Sequence, residues 1–232
     1  MNKLLYIGAG LDLKPLVDFL ETTEFVFVDV QPRSEFDKPE FWFEGFYRNN
    51  FYPNLVKEAS MYGFSLENTE ELDSEYFQSI MSFRQRIKWL NRVKETFNHI
   101  CPNLLTFYNY KTGQKLKYYI STNILTNMNW DLENDILNTD GLIISGFHPD
   151  KKLLNYITNP INLLCYSETC YNIPIEEVDN LDNLDSWLFN NPDQISKYFK
   201  SIFVVNKKNG EMSRCKDINQ IEIICKKIHG LN

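Results

Sequence analysis

The sequence predicts an α/β fold in which one doubly wound sheet carries helices on both faces. Short apolar runs of strand length alternate with amphipathic segments, which is the pattern of strands and crossover helices in a mostly parallel sheet. The 232 residues contain no repeat, low-complexity tract or linker, so we predict one domain over 1–232. We expect a Rossmann-like sheet of about seven strands that ends in a C-terminal antiparallel hairpin.

The first thirty residues carry the strongest signal for this fold. Lys3–Ile7 is a short apolar run that ends at a glycine, which predicts a buried strand. A helix would begin at Asp12 or Lys14 and run to about Glu21. Phe25–Val30 (FVFVDV) is rich in β-branched and aromatic residues, which predicts a second buried strand. Strand, glycine turn, helix and strand together form half of a doubly wound sheet.

Residues 36–101 do not continue this alternation of strands and helices, and we predict that they form a helical and aromatic insertion. Phe36–Tyr52 contains eight aromatic residues among seventeen, and these could cover a ligand cleft or bury the insertion on the sheet. Apolar residues at spacings of three and four predict a long helix over Glu75–Ile100. One face of that helix would be basic, which suits a nucleic-acid backbone or an ordinary solvated surface: Arg84, Lys88 and Arg92.

The second half of the chain returns to strand and helix signals. Predicted strands are Leu104–Tyr110 and Lys115–Ser121 around a Thr-Gly turn, Gly141–Phe147, Ile161–Tyr166, and Ser201–Asn206 with Glu211–Cys215 around a Lys-Asn-Gly turn. Predicted helices are Asp131–Asn138, a segment from Asp150 to about Ile157, Ser186–Phe199 and Asp217–Ile228.

Composition and charge exclude several classes of protein. A net charge of −7 argues against bulk binding to nucleic acid or to an anionic membrane. No apolar run approaches the roughly 20 residues of a membrane helix, and the N-terminal sequence lacks a cleavable signal pattern. Five cysteines without a C-x-x-C pair argue against structural zinc and a disulfide framework. We therefore expect no metal site and a reducing location, the cytoplasm.

Heavy use of Asn, Lys, Ile, Tyr and Phe is typical of AT-rich codons. Large DNA viruses, parasites and low-GC bacteria have such genomes. For a viral protein, the expected location becomes the host cytoplasm or the virion.

The glycine turn after the first strand is the best candidate for a ligand site. Gly8 and Gly10 would lie at the carboxyl end of a parallel strand, where the backbone can approach a ligand closely. Asp29 lies 21 residues after Gly8, near the end of the second strand. An acid at that position can accept hydrogen bonds from both ribose hydroxyls of an adenosine group. The alternatives are a strand-to-helix turn that holds no ligand and an Asp29 that only caps a helix or a turn.

Two residues in the turn favour S-adenosylmethionine over a dinucleotide. Leu13 stands where a G-x-G-x-x-G fingerprint has its third glycine. Asp12 would lie at the helix N-terminus, where its carboxylate would repel a pyrophosphate and compete for the same N–H groups. S-adenosylmethionine has no phosphate and carries a sulfonium and an ammonium, with which an acid is compatible.

With these motifs the chain resembles the class I S-adenosylmethionine-dependent methyltransferases. YIGAG (6–10) is similar to their glycine-rich first motif, and FVFVD (25–29) to their ribose-binding strand. The segments DGLIISG, INLLCYS and the SIFVVN…EMSRC hairpin resemble their strands four to seven. The resemblance implies S-adenosylmethionine as cofactor, held by Gly8, Gly10, Asp12 and Asp29, and methyl transfer to an acceptor that the sequence does not identify.

Chemistry in such a protein would come from the segment after the fourth predicted parallel strand. His148 can act as a general base near neutral pH, and Asp150 can orient it or bind substrate. The alternative is a strand-to-helix turn in which Asp150 caps the next helix. Two other functions stay open: a catalytically inactive Rossmann-like binding or scaffold protein, and an NAD-dependent enzyme.

Overall fold

A computed structural model of the chain describes residues 1–30, 51–70, 104–121, 130–144, 151–167, 187–188 and 190–231. These residues form one nine-stranded, mostly parallel sheet with helices on both of its faces. The predicted α/β class is confirmed. The predicted number of about seven strands is wrong, because the described ranges alone contribute nine.

The bounds of the elements within these ranges are as follows. The strands are β1 (Lys3–Ile7), β2 (Glu24–Val30), β3 (Ser65–Glu70), β4 (Leu104–Asn109), β5 (Gln114–Ser121), β6 (Gly141–Ile144), β7 (Ile161–Tyr166), β8 (Phe199–Val205) and β9 (Met212–Cys215). The α-helices are α1 (Pro15–Asp18), α2 (Phe51–Met61), α3 (Trp130–Leu137), α4 (Ile195–Tyr198) and α5 (Gln220–Ile228). Lys151–Tyr156 and Pro192–Gln194 are 3₁₀ helices.

The strand order across the sheet is β3-β4-β5-β2-β1-β6-β7-β8-β9. The six central strands, β5 to β8 in this order, all pair in parallel. When only these six strands are numbered in chain order, their order across the sheet is 3-2-1-4-5-6, which is that of a doubly wound sheet. The direction of winding reverses between β1 and β6, so a crevice for a ligand is expected at the carboxyl ends of those two strands.

Antiparallel strands complete both edges of the sheet. The predicted hairpin of β8 and β9 is confirmed and forms one edge. At the other edge β4 pairs antiparallel with β5, and β3 pairs antiparallel with β4. β3 lies inside the predicted insertion and was missed because its sequence, SLENTE, is almost wholly polar. Its residues 65–69 are exposed, as is common for an edge strand that carries charged side chains.

Two hydrophobic cores cover the two faces of the sheet. On the first face, apolar side chains of alternate strand positions pack against α1 and α2; examples are Tyr6, Phe27, Leu16, Leu55 and Ala59. On the second face, the intervening positions pack against α3, α5 and the 3₁₀ helix over 151–156; examples are Leu5, Val28, Ile136, Leu153 and Ile221. The alternation follows from the period of two along each buried strand.

Several helices are shorter than the sequence predicts. α1 ends at Asp18, and Phe19 leaves the helical region at φ −120° and ψ 60° so that its ring is buried in the first core. The predicted helix over Ser186–Phe199 is interrupted at Asn191, whose φ of −131° and ψ of 52° are not helical. Pro192 explains this break, because a proline disfavours helical geometry at the preceding residue. No helix in the described ranges is both long and apolar enough to cross a membrane.

One buried carboxylate docks α3 on the second face. Asp135 accepts hydrogen bonds from Lys3 Nζ at 2.7 Å, from Lys117 Nζ at 2.9 Å and from Tyr119 Oη at 2.6 Å. Lys3 lies on β1, and Lys117 and Tyr119 lie on β5, so this cluster joins α3 to strands on either side of β2. The Asp135 side chain is only 9% exposed. We define these four residues as the Asp135 cluster.

Candidate functional site

The glycine turn (residues 8–12) lies at the carboxyl edge of the parallel strands. Gly8 directly follows β1, which is the strand at which the winding reverses. In the pairing of β1 with β2, Ile7 is opposite Val28. The Gly8 N–H donates to the Val28 carbonyl at 2.7 Å, and the Ala9 N–H donates to the same oxygen at 3.3 Å. The end of β2 therefore holds the first part of the turn.

A third strand fixes the centre of the turn. The Tyr118 hydroxyl, which comes from β5, donates to the Gly10 carbonyl at 2.6 Å. Gly8 and Gly10 have φ values of 73° and 52°, which glycine adopts readily and other residues do not. No heavy atom of the described residues lies within 4 Å of a Cβ atom built on Gly10. The turn is thus rigid toward the sheet and open on the side of Gly10, so a ligand can approach its backbone there.

Of the two predicted helix starts, Asp12 and Lys14, the structure has Lys14 as the N-cap of α1, which begins at Pro15 and is one turn long. Asp12 therefore lies before the helix and not at its N-terminus. Its carboxylate accepts a hydrogen bond from the Tyr6 hydroxyl at 3.1 Å and forms an ion pair with Lys207 at 3.2 Å. Its other oxygen accepts the Lys14 N–H at 3.3 Å. Lys207 belongs to the loop between β8 and β9 (residues 206–211, the hairpin loop), so Asp12 ties the glycine turn to a distant part of the chain.

A second carboxylate in this region belongs to Asp18, the last residue of α1. Asp18 forms an ion pair with Lys14, and the hydroxyl of Tyr166 on β7 donates to its carboxylate at 2.7 Å. Burial and this hydrogen bond to Asp18 raise the pKa of Tyr166, so its hydroxyl remains a donor at neutral pH. A Cβ built on Gly210 would lie only 2.9 Å from Oδ1 of Asp18, which shows how closely the hairpin loop packs on α1.

Some of the predicted site residues lie together, and others lie outside the described residues. Gly8, Gly10 and Asp12 form one turn at the carboxyl edge. The backbone of Asp29 continues β2 directly after Val28, which accepts the Gly8 hydrogen bond, whereas its side chain is outside the described part. The remaining predicted residues are outside it as well: His148, Asp150, Arg84, Lys88 and Arg92.

Sequence reasoning missed the partners that hold Asp12 and Asp18. Tyr6, Tyr166 and Lys207 come from three different strands or their loops, and only the fold brings them to this edge. From the sequence, Tyr6 is predicted to be one residue of a buried apolar strand, and Lys207 is predicted to be a residue of a hairpin turn. No local pattern marks either as a partner of Asp12. Within the described ranges, no group of three or more His, Cys, Asp or Glu residues is placed to hold a metal ion.

Comparisons of the chain with protein-family models, with curated protein sequences and with solved structures give no match.

Proposed function

We propose that this protein binds S-adenosylmethionine at the carboxyl edge of its sheet and transfers the methyl group to an acceptor. The observation that carries the proposal is the glycine turn. It follows β1 at the reversal of the winding, it is held by Val28 and Tyr118, and it is open at Gly10. Ligands of doubly wound sheets bind in the crevice at such a reversal. The proposed donor-binding residues are Gly8, Gly10, Asp12 and Asp29.

The shape of the turn favours a nucleoside ligand without phosphates. Dinucleotide sites place the pyrophosphate on the N-terminus of a helix that directly follows the glycine turn. Here the helix has four residues and begins only at Pro15, so it offers little of the aligned dipole on which phosphate binding depends. Leu13, at the position of the third fingerprint glycine, is buried in the first core. Asp12, although paired with Lys207 at 3.2 Å, adds a carboxylate that can accept a further hydrogen bond from an ammonium group.

The proposed chemistry needs a base near the transferred methyl group, because a hydroxyl or amine acceptor loses a proton around the time of transfer. We assign that role to His148, with Asp150 as the residue that orients it or binds substrate. The assignment is supported by the position of His148 in the sequence, four residues after the end of β6. β6 is the neighbour of β1 across the reversal, so the carboxyl end of β6 lies beside that of β1, where a ligand crevice is expected.

Gly10→Ala tests whether a ligand approaches this turn. The substitution should weaken binding of S-adenosylhomocysteine, the demethylated product, by about tenfold, because its methyl group would point into the open space at Gly10 and crowd the ligand. It should also cost about 1–2 kcal/mol of stability, since alanine is strained at a positive φ. Isothermal titration calorimetry measures the first effect and urea denaturation the second.

Gly230→Ala is the matched control for that experiment. Gly230 has a φ of 70°, and no described heavy atom lies within 4 Å of a Cβ built on it, but it follows α5, which packs on the second face of the sheet. It should therefore show the same loss of stability with unchanged ligand affinity. Equal ligand affinities for the two variants would remove the glycine turn from the binding site.

A further inference from the structure

The ion pair of Asp12 and Lys207, which we call the Asp12–Lys207 pair, spans the carboxyl edge of the sheet. Asp12 follows β1, Lys207 follows β8, and two strands, β6 and β7, lie between them in the sheet. Their charged atoms nevertheless meet at 3.2 Å. The pair therefore joins the two segments that flank the ends of β6 and β7, next to the reversal where a ligand is expected.

Contacts on both sides hold the pair in place. Asp12 is fixed by the Tyr6 hydroxyl. The hairpin loop that carries Lys207 is closed by hydrogen bonds from the Gly210 N–H to the Asn206 carbonyl at 2.7 Å and from the Asn206 N–H to the Glu211 carbonyl at 2.9 Å. The two charged side chains are still 26% and 28% exposed, for Asp12 and Lys207 respectively. A solute can therefore reach both of them without unfolding the edge.

A carboxylate and an ammonium group at this separation are complementary to a group that carries both charges itself. The α-amino-acid end of a ligand is such a group. Its ammonium would donate to Asp12, and its carboxylate would accept from Lys207, which are charge-assisted hydrogen bonds. A zwitterion can bond to both members of the pair at once, whereas a phosphate can bond only to Lys207 and a simple cation only to Asp12.

We propose that the Asp12–Lys207 pair binds the zwitterionic α-amino-acid end of the ligand. This inference rests on the proposed function, because S-adenosylmethionine is a nucleoside that ends in such a group. Lys207 then determines specificity: it distinguishes the complete ligand from its nucleoside part.

The test compares two ligands that differ only in this end. S-adenosylhomocysteine carries the amino acid, whereas 5′-methylthioadenosine retains the nucleoside and the sulfur without it. Lys207→Met should lower the affinity for S-adenosylhomocysteine by about tenfold, the scale of one hydrogen bond to a charged group, and leave that for 5′-methylthioadenosine unchanged. Lys208→Met, an equal change of charge at the next and exposed position, should alter neither. Lys207→Arg should retain most of the wild-type affinity for S-adenosylhomocysteine.

Three results would overturn the inference. An equal loss for both ligands would make Lys207 a purely structural residue, an unchanged affinity would remove it from the site, and a gain for S-adenosylhomocysteine would make it a competitor of the ligand. If wild-type protein binds neither nucleoside, the proposed function itself fails. If it then binds free methionine in a manner that Lys207→Met abolishes, the amino-acid site stands without the nucleoside site.

Discussion

Asp135→Asn is expected to lower the free energy of unfolding by about 3 kcal/mol, the lower end of the cost of breaking a buried ion pair. The substitution would leave the ammonium groups of Lys3 and Lys117 close together without their shared carboxylate. The lower end applies because the Lys3 and Lys117 side chains retain 12% and 23% exposure and can be partly solvated. Urea denaturation at neutral pH measures the loss.

Asp193→Asn is the control for this experiment, because Asp193 is exposed on the surface. Its effect should stay within about 0.5 kcal/mol. If Asp135→Asn is as mild as this control, the Asp135 cluster does not hold α3 to the sheet.

The loss of stability in Asp135→Asn should depend on pH. Burial alone would raise the pKa of Asp135, but hydrogen bonds from Lys117, Lys3 and Tyr119 outweigh burial, and the pKa is lowered. The unfolded chain therefore binds more protons than the folded one just below the ordinary aspartate pKa of 3.8. The stabilisation is present above that value and is lost as the pH falls through the folded pKa. The gap between wild type and Asp135→Asn should shrink in acid, and a gap that is constant down to acid unfolding would contradict this account.

His148→Ala is expected to reduce methyl transfer by about 10²–10⁴-fold, the usual contribution of a general base, while donor affinity stays nearly unchanged. Asp150→Asn should change the rate less and the stability more than His148→Ala does, and part of the stability should survive because asparagine is also a good helix cap. The assay needs no known acceptor. Labelled donor is incubated with cell extract, the products are separated into RNA, DNA, protein and small molecules, and the label is followed.

Two outcomes of that assay would contradict the catalytic assignment. If the His148→Ala variant transfers label as fast as wild type, His148 is only a residue of a turn. If wild-type protein binds the donor and labels no fraction, the domain is a binding protein rather than an enzyme.

The parallel centre of the fold could be predicted from the sequence because its strands are buried on both faces. Runs such as FVFVD and INLLCY are apolar at every second position or more, and the turn glycines mark where strands end. β3 could not be predicted, since an exposed edge strand needs no apolar face. The lengths of α1 and α4 were also missed, because tertiary packing of Phe19 and the break before Pro192 override helical periodicity.

The residues of the candidate site also differ in whether the sequence alone identifies them. Gly8 and Gly10 carry a local signature, since a strand that ends in a glycine turn is visible in the sequence itself. The ion pair between Asp12 and Lys207 carries none, because it depends on the order of four strands and on the hairpin loop folding back over α1. Local patterns thus identify the turn, and only the fold reveals the charges that line it.

Calorimetric titration of wild-type protein tests most directly whether the glycine turn binds an S-adenosyl ligand. We predict heat and saturable binding with S-adenosylhomocysteine, none with NAD, and a loss of about 1.5–3 kcal/mol in binding free energy for Asp29→Ala, which removes hydrogen bonds to a charged acceptor. Absence of heat from S-adenosylmethionine and S-adenosylhomocysteine at millimolar concentration, or saturable binding of NAD instead, would contradict this prediction.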